Sequence, residues 1–336
     1  QQYQETEFQE ARLEDLTKEE ILNRIKEGGV VGMGGAGFPT HVKLAPKDPS
    51  KIEYILVNGA ECEPYITSDY RRMIEEPEKV VKGLQVILTL FDSAKGYICI
   101  EDNKPDCIAK MKELVKDIDR IEVKEMMTKY PQGGERTLIS AATGRKIYSA
   151  KLPADAGCIV DNISTVIAIY RAVCKCTPLI TRVMTLTGDA FEKPVNVNVR
   201  IGCCHADLVA EGGGFKQEPA KIISGGPMMG FAMFDLNVPV TKTSSSILAM
   251  TTDEVALNEP TPCIRCGRCV SACPGNLVPQ KMAQAVSHND YDTFVSLNGM
   301  ECYECGSCTY ACPAKRPLTQ LFKQARQHVA AQRRKK

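Results

Sequence analysis

Eight cysteines in the last quarter of this 336-residue chain constrain its fold more than any other feature. They form two runs of equal spacing, each followed by proline: Cys263-x-x-Cys266-x-x-Cys269-x-x-x-Cys273-Pro274 and, 39 residues later, Cys302-x-x-Cys305-x-x-Cys308-x-x-x-Cys312-Pro313. In domains that hold two [4Fe–4S] clusters, each cluster takes three cysteines of one run and the last cysteine of the other. We therefore expect one cluster on Cys263, Cys266, Cys269 and Cys312, and a second on Cys302, Cys305, Cys308 and Cys273. Such clusters carry one electron at a time.

Zinc or disulfides explain these runs less well. Zinc ribbons use paired C-x-x-C units and seldom three equally spaced cysteines before Cys-Pro, and disulfides need an oxidising compartment. The other eight cysteines follow no ligand spacing, and we interpret them as small buried apolar side chains. They are Cys62, Cys99, Cys107, Cys158, Cys174, Cys176, Cys203 and Cys204.

Composition excludes some classes of protein. The net charge of +1 argues against a general nucleic-acid binder, which needs a strongly basic face. No apolar run approaches the roughly 20 residues that span a bilayer, so we expect a soluble or peripheral protein. No signal peptide is recognisable, and the many unpaired cysteines favour a reducing cytoplasm. The first residue is Gln rather than Met, which is compatible with a fragment of a longer chain.

The pattern of residues predicts an α/β protein of several parts. Residues 1–16 are polar and are interpreted as an arm or linker, and Thr17-x-x-Glu20 predicts a capping box that opens a helix. From there to about residue 180, strands and helices alternate, which predicts a mainly parallel, Rossmann-like sheet with covering helices. The predicted strands are 52–57, 96–100 and 121–123, and the predicted helices are 77–90, 104–115 and 162–173.

The texture changes after residue 180. Short strands at 182–186, 195–199, 221–224 and 247–250 with glycine-rich turns predict a small β domain over 181–255. Pro260 and Pro262 lead into the predicted cluster domain over 256–336, which ends in a helix from Leu318 to Ala331 and a basic tail. Such a tail is usually only solvated, but contact with an anionic membrane surface or an acidic partner is the alternative.

A glycine-rich segment predicts a nucleotide site. The sequence Gly32-Met33-Gly34-Gly35-Ala36-Gly37-Phe38-Pro39-Thr40 contains G-x-G-x-x-G, but a helix precedes it and Pro39 interrupts the segment after it. A classical dinucleotide fingerprint has the reverse order, a strand before and a helix after. The glycines still permit close approach of backbone amides to a phosphate, and Lys43 supplies a nearby cation.

Two further polar segments come directly after predicted strands. They are Asn58-Gly59-Ala60-Glu61-Cys62-Glu63-Pro64 and Tyr130-Pro131-Gln132-Gly133-Gly134-Glu135-Arg136. Ligands of open α/β sheets bind outside the carboxyl ends of the strands, where these groups would project. Together with the glycine-rich segment they predict a flavin and nucleotide pocket, although each segment taken singly is also compatible with a surface turn.

These segments resemble the FMN and NADH site of the flavoprotein subunit of respiratory complex I, as does Asp161-Asn162. With the cysteine-rich end, the chain more closely resembles the C subunit of the Rnf family of membrane-bound ferredoxin:NAD oxidoreductases over about residues 17–325. The sequence segments 58–65 and 312–318 are particularly similar to that family. The resemblance implies that residues 181–255 form a β-grasp (SLBB-like) domain and residues 256–336 a ferredoxin-type domain. The N-terminal lipoyl-like domain of that family is expected to be absent from the printed sequence.

The resemblance also implies roles for individual residues. Those implied to hold FMN are Gly32, Gly34, Gly35, Lys43, Asn58, Glu61, Tyr130, Gly133 and Asn162, and those implied to meet NADH are Phe38, Glu63 and Glu135. Glu61 and Glu63 would raise the cost of reduced, anionic flavin and so influence its potential. No residue is expected to act as a general acid or base. Two departures affect contacts to phosphate and NADH, because complex I has arginine at Met33 and an acidic residue at Gly134.

The function implied is an NADH-handling electron-transfer subunit of an ion-translocating Rnf-type oxidoreductase, with FMN converting between hydride and single electrons. Implied partners are NADH or NAD, other Rnf-type subunits including membrane subunits and an iron–sulfur, ferredoxin-accepting subunit, with no nucleic acid. The implied location is peripheral, on the cytoplasmic side of the cell membrane. Two alternatives remain open: a flavoprotein that feeds a soluble reductase or cobalamin, and a cluster relay or scaffold subunit without a nucleotide.

Overall fold

The computed structural model describes residues 9–335, with side chains to residue 334. A four-stranded parallel sheet, in the order β3-β2-β1-β4, organises the first half of the chain. Its strands are β1 (Tyr54–Gly59), β2 (Lys95–Glu101), β3 (Ile121–Met126) and β4 (Cys158–Asn162). The predicted parallel sheet is confirmed, and of its four strands β4 alone was not predicted. Of the predicted arm, residues 1–8 lie outside the described residues, and a 3-10 turn occupies Leu13–Asp15.

Helices cover both faces of this sheet. They are α1 (Lys18–Glu27), α2 (Thr40–Lys43), α3 (Ser68–Glu75), α4 (Pro77–Thr89), α5 (Pro105–Val115), α6 (Glu135–Thr143) and α7 (Ile163–Cys174). The larger apolar core joins α1, α4, α5 and α7 to one face, and a smaller one joins α6 to the other. The predicted capping box of α1 is present, since Thr17 Oγ1 accepts a hydrogen bond from the Glu20 N–H and the Glu20 carboxylate accepts one from the Thr17 N–H.

An ionic cluster fixes α3 against α7. Glu76 lies between the guanidinium groups of Arg72 on α3 and Arg171 on α7, at 2.6 and 2.5 Å, and also pairs with Lys79. Burial by itself raises the pKa of Glu76, but these cations outweigh burial and lower the pKa to about 2. The carboxylate therefore stabilises the fold above its unfolded pKa of 4.5, and the contribution is lost as pH falls towards 2.

We expect Glu76→Gln to lower the free energy of unfolding by about 2 kcal/mol at pH 7, because buried Arg72 then loses its partner. Urea unfolding followed by circular dichroism measures this. The control is Glu75→Gln, which removes an exposed pair with Arg71 and should cost less than about 1 kcal/mol. Equal effects of the two substitutions would contradict the role of Glu76.

A second, mixed sheet comes next, in the order β6-β5-β9-β7-β8. Its strands are β5 (Thr181–Thr187), β6 (Val195–Arg200), β7 (Lys221–Ser224), β8 (Phe231–Met233) and β9 (Ser246–Met250), with helix α8 (His205–Glu211) packed on it. Strands β5 and β9 are parallel, and the other pairs are antiparallel. The predicted small β domain is thus confirmed in kind, whereas its limits at residues 181 and 255 stay predictions.

The last part of the chain is helical, as predicted. Its helices are α9 (Arg268–Ser271), α10 (Pro279–Ser287), α11 (Tyr291–Ser296), α12 (Ser307–Tyr310) and α13 (Leu318–Lys335). The two cysteine runs repeat one backbone path, because equivalent residues take matching positive φ angles: Arg265 and Glu304 (56° and 55°), Gly267 and Gly306 (78° and 83°), Asn276 and Lys315 (both 52°). Among the described helices, none is both long and apolar enough to cross a bilayer.

Candidate functional site

The cysteines of the two runs surround two cavities. One cavity is lined by Cys273, Cys302, Cys305 and Cys308, and the other by Cys263, Cys266, Cys269 and Cys312. We call these the inner and the outer cavity. Each is lined by three cysteines of one run and the last of the other, the same sets that the spacing predicts. Within residues 9–335, no three His, Cys, Asp or Glu side chains are placed to hold a single metal ion.

The cavities suit a cubane because hydrogen-bond donors face the cysteine sulfurs that would bind it. At the inner cavity, the Leu277 and Glu304 N–H groups each donate to a cysteine Sγ at 3.4 Å, and such bonds favour thiolate. At the outer cavity, Gln280 contributes a buried Oε1 without a hydrogen-bond partner among the described residues. Exchanging the oxygen and nitrogen positions of the Gln280 side-chain amide would present an N–H donor to a sulfur of the cluster. Gln280 therefore fits a cluster better than an empty apolar space.

The glycine-rich segment folds as a loop between Val31 and Pro39, which form an isolated bridge. The Gly32 N–H bonds to the Phe38 carbonyl at 2.9 Å, and residues 33–36 form a turn inside the loop. An added Cβ at Gly34 would lie 2.9 Å from Asn162, but one at Gly35 would meet nothing within 4 Å. The loop thus brings backbone amides of a glycine-rich turn beside open space, as a phosphate-bearing ligand requires.

Lys43 and Asp161 form the polar centre beside this loop. The Asp161 carboxylate ends strand β4, is 2% exposed, and neither oxygen accepts a hydrogen bond from any described residue. Lys43 Nζ lies 3.4 Å from Asp161 Oδ1 and 3.7 Å from Glu135 Oε1, and donates to the Val160 carbonyl. Burial raises the pKa of Asp161, and Lys43 opposes the rise. Among the described residues, Lys43 is the one cation beside this buried carboxylate, so its oxygens retain the capacity to accept hydrogen bonds from a ligand with hydroxyl groups, such as the ribityl chain of FMN.

The polar segments after β1 and β3 meet each other. Asn58 Nδ2 donates to the Gly133 carbonyl at 2.8 Å, and the Gly133 N–H lies 3.2 Å from Cys62 Sγ. Burial raises the pKa of Cys62 to about 11, so its thiol stays neutral. Gly134 then starts α6, and Glu135, the first residue of that helix, is half exposed beside Lys43. The predicted convergence of the two segments at the carboxyl edge therefore exists.

The carboxylates of Glu61 and Glu63, in contrast, accept hydrogen bonds from backbone N–H groups. The Glu61 carboxylate accepts the N–H groups of Asp69 and Tyr70, at 2.6 and 2.9 Å, at the start of α3. Burial, and then the nearby Asp69 charge, raise the pKa of Glu61 to about 8. Glu63 Oε1 accepts the N–H groups of Met228 and Met229, at 2.7 and 3.0 Å, in a turn of the second sheet. The roles implied for them with flavin and NADH stay predictions.

The remaining predicted residues border the same loops. Asn162 caps α7 through the Ser164 N–H and donates to Asp69 at 2.6 Å. Phe38 is 54% exposed, so it is accessible to a planar ligand. Met33 is buried at 2% exposure in the larger core, and its N–H donates to Thr165. Met33 therefore takes no part in the open face of the loop.

The inner cavity lies directly beside these loops. Tyr130 Oη donates to the Cys305 carbonyl at 2.6 Å, and Arg136 donates to both the carboxylate and the carbonyl of Glu301, at 2.6 and 2.8 Å. The Arg136 guanidinium also lies 4.2 Å from the centre of the Tyr303 ring. The polar segment from Tyr130 to Arg136 is therefore in direct contact with the loop that carries Cys302 and Cys305.

The sequence placed Asp161 in the resemblance to the FMN and NADH site without an individual role, and it gave no individual role to Arg136 or Gln280. A carboxylate that ends the apolar strand Cys158–Asn162 is a recognisable signal, because an ionised group is costly to bury without function or partner. Arg136 carried no such signal, because its partner Glu301 lies 165 residues away. Gln280 carried none either, because only the fold brings it to the outer cavity.

Comparison with family models matches three segments in the same order as the fold. Residues 25–171 match the Nuo51 FMN-binding domain, residues 183–232 an SLBB domain and residues 262–315 a 4Fe-4S dicluster domain. These matches confirm the fold class, the FMN-binding domain and the two-cluster domain expected from the sequence.

Curated relatives are C subunits of oxidoreductase complexes. The chain is 49% identical over 80% of its length to the C subunit of the proton-translocating ferredoxin:NAD(+) oxidoreductase complex of Clostridium ljungdahlii, and spans 59% of that protein. It is 45% identical over 96% of its length to the Na(+)-translocating counterpart of Acetobacterium woodii, spanning 73% of it. It is 42% identical over 82% of its length to the C subunit of the ion-translocating oxidoreductase complex of Yersinia enterocolitica, spanning 41%.

A solved structure shares the fold. Over 93% of this chain, the model matches a chain of an NAD+-reducing [NiFe]-hydrogenase in its H2-reduced state with a TM-score of 0.65 and 17% identity, covering 63% of that chain. Sequence identity at this level supports the fold alone. The relatives decide the family: the chain belongs to the C-subunit family of ion-translocating ferredoxin:NAD(+) oxidoreductase complexes.

Proposed function

We propose that this chain is the NADH-handling electron-transfer subunit of a multi-subunit, ion-translocating ferredoxin:NAD oxidoreductase, peripheral on the cytoplasmic side of the membrane. The proposal rests on one observation: Tyr130 and Arg136, in the polar segment after β3, directly contact the segment that carries Cys302 and Cys305 of the inner cavity. When bound, FMN supplies the exchange of a hydride with nicotinamide for single electrons. The protein's contribution is to hold that group beside a chain of one-electron carriers.

Residues of the glycine loop are proposed to bind FMN. The backbone amides of Gly34 and Gly35 face its phosphate, while Lys43, with Asp161, orients its hydroxyl-bearing chain. The ammonium of Lys43 already has carboxylate neighbours, so it suits hydroxyl groups better than a doubly charged phosphate. Gly32, Asn58, Tyr130, Gly133 and Asn162 line the same edge, and Glu61 supports it by capping α3.

The geometry also favours an order for the clusters. Cys305 and Cys308 of the inner cavity are buried, whereas Cys263 and Cys266 of the outer cavity are exposed. The inner set, Cys302, Cys305, Cys308 and Cys273, therefore exchanges electrons with the flavin site. The outer set, Cys263, Cys266, Cys269 and Cys312, exchanges them with a partner subunit. The membrane subunits and the ferredoxin-accepting subunit are partners of the assembled complex.

Reconstitution with iron, sulfide and FMN tests the proposal. We expect about one flavin and two cubanes per chain, with NADH bleaching the flavin absorbance and then reducing the clusters. Full cluster content without FMN uptake would reject the nucleotide site and leave a relay subunit. FMN uptake with clusters that NADH cannot reduce would reject the electron path.

Glu135 is proposed, with Phe38 and Glu63, to meet NADH. Its half-exposed carboxylate stands at the open face beside Lys43. We expect Glu135→Gln to raise the KM for NADH about tenfold, because a charge-assisted hydrogen bond is worth about 1.5–3 kcal/mol. Reduction of the clusters by dithionite should stay unchanged. Glu113→Gln, an exposed carboxylate near the end of α5, is the control, and equal loss of both reductions in Glu135→Gln would contradict the assignment.

A further inference from the structure

Positive charge is concentrated in the cluster-bearing end of the chain. Residues 260–336 contain eleven Lys and Arg but four Asp and Glu, a net charge of +7, whereas the whole chain carries +1. The remainder of the chain is therefore net acidic. Like charges within one small domain repel each other, so this excess of positive charge does not stabilise the fold. It favours association with a negatively charged partner instead.

The few acidic residues of this end lie away from the outer cavity. Glu301 pairs with Arg136 across the contact at the inner cavity, and Glu304 pairs with Arg326. Asp290 caps α11, and Asp292 is exposed on that helix. No acidic residue occurs over 260–289 or 305–336. The charge of the outer cavity is therefore uncompensated by its own loops.

Two cations line the outer cavity, and two more are close to them in the chain. Arg265 and Arg316 line it, Arg268 comes next on α9, and Lys315 lies beside Arg316. None of the four forms an ion pair within the described residues. The Thr261 N–H donates to the Ala314 carbonyl at 3.0 Å, which places the two cation-bearing loops side by side. They form one basic rim.

The centre of the rim is apolar and close to the cluster ligands. Ile264 lines the outer cavity and is 66% exposed, between the exposed cysteines Cys263 and Cys266. An exposed apolar centre within a charged border is the usual composition of a protein docking site. At the inner cavity, by contrast, Cys305 and Cys308 are buried, Tyr130 donates to the Cys305 carbonyl, and the carbonyl of Met228 lies against Gly306.

We propose that this basic rim, Arg265, Arg268, Lys315 and Arg316 around Ile264, is the docking surface for an acidic one-electron carrier protein. The proposal rests on the proposed function and adds the place of exchange and the charge of the partner. One electron passes between the partner's redox centre and the cluster of the outer cysteines, so that one is oxidised as the other is reduced. A lipid surface would match the charge but would accept no electron, and it gives no reason for exposed cluster ligands.

The test uses an acidic plant-type [2Fe–2S] ferredoxin as the probe. The probe is reduced, mixed with the oxidised, cluster-loaded chain in a stopped-flow instrument, and the second-order rate is followed by absorbance at several salt concentrations. We expect a rate that falls steeply with salt, because steered association is screened. Arg265→Glu combined with Lys315→Glu should slow it on the order of tenfold or more at low salt and flatten its salt dependence.

The matched control is Lys193→Glu combined with Lys216→Glu, which makes the same change of net charge at exposed positions of the second sheet's domain. At moderate salt it should keep the rate within about twofold, because the effect of charges away from the docking surface is then largely screened. Iron content shows that each variant holds its clusters. Equal slowing by both pairs, or a rate in the unaltered chain that ignores salt, would overturn the proposal.

Anionic phospholipid vesicles distinguish the membrane alternative. If the rim variant loses vesicle binding while ferredoxin exchange is unchanged, the surface meets lipid and the proposal is wrong. NADH-driven flavin reduction, measured separately, reports on the proposed function. Its failure with intact ferredoxin exchange would reject the function and leave the docking surface standing.

Discussion

Replacing Cys273 with Ala should remove the same cluster as replacing Cys302 with Ala, although the two residues belong to different runs. Both line the inner cavity. In each variant we expect iron to fall from about eight to about four per chain, since a cubane rarely survives without one of its four thiolates. The remaining electron paramagnetic resonance signal should be identical in the two. NADH-driven reduction of an outside acceptor protein should be abolished, because the route from the nucleotide loops is broken at its first step.

The complementary pair lines the outer cavity. Cys312→Ala and Cys263→Ala should leave the other signal, and NADH should still reduce the surviving inner cluster. A spectrum of Cys273→Ala that matched Cys263→Ala would mean that each run binds its own cluster. That result would contradict the crossed assignment and the order proposed for the clusters.

Lys43→Met should raise the Kd for FMN by about 10- to 100-fold, as expected for losing a hydrogen bond from a charged donor. It should also destabilise the fold by about 3 kcal/mol, because Asp161 then stands buried without a cation. Flavin fluorescence titration and thermal unfolding measure the two effects. Lys47→Met, an exposed lysine one turn beyond, is the control and should change neither.

Adding Asp161→Asn to Lys43→Met separates binding from stability. The buried charge is removed, so the free energy of unfolding should recover by about half or more. FMN affinity should not recover, because both groups proposed to meet its hydroxyl chain are altered. Recovery of FMN affinity together with stability would show that Lys43 acts only by holding the fold.

Local patterns predicted the regular elements well. Alternating apolar strands and helices led to β1, β2, β3, α4, α5 and α7 within two residues at nearly every end, because each buries an apolar face against one core. Strand β4 was missed since it is short and ends in Asp161-Asn162, whose polarity resembles a loop. Helix α3 was missed because it is polar along most of its length and is held by the Glu61 cap and the Arg72–Glu76 pair.

The arrangement of the candidate site was less predictable. Cysteine spacing predicts which residues line each cavity, since the geometry of a cubane is fixed. The partners of Glu61 and Glu63 could not be predicted, because they are backbone amides of α3 and of a turn in the second sheet. Contacts such as Arg136 with Glu301 join residues 165 positions apart, and only the packing of complete domains determines them.

The covering of the inner cavity also sets an order for maturation of the protein. Tyr130 and the Met228 turn lie over the Cys305–Gly306 segment, whereas Cys263 and Cys266 remain at the surface. We therefore expect iron and sulfide to reach the inner four cysteines more slowly once the helical end has packed against the parallel-sheet domain. The outer four can be filled, emptied by oxidants or repaired afterwards. Damage by oxygen should consequently begin at the outer cluster and spare the inner one until the two parts separate.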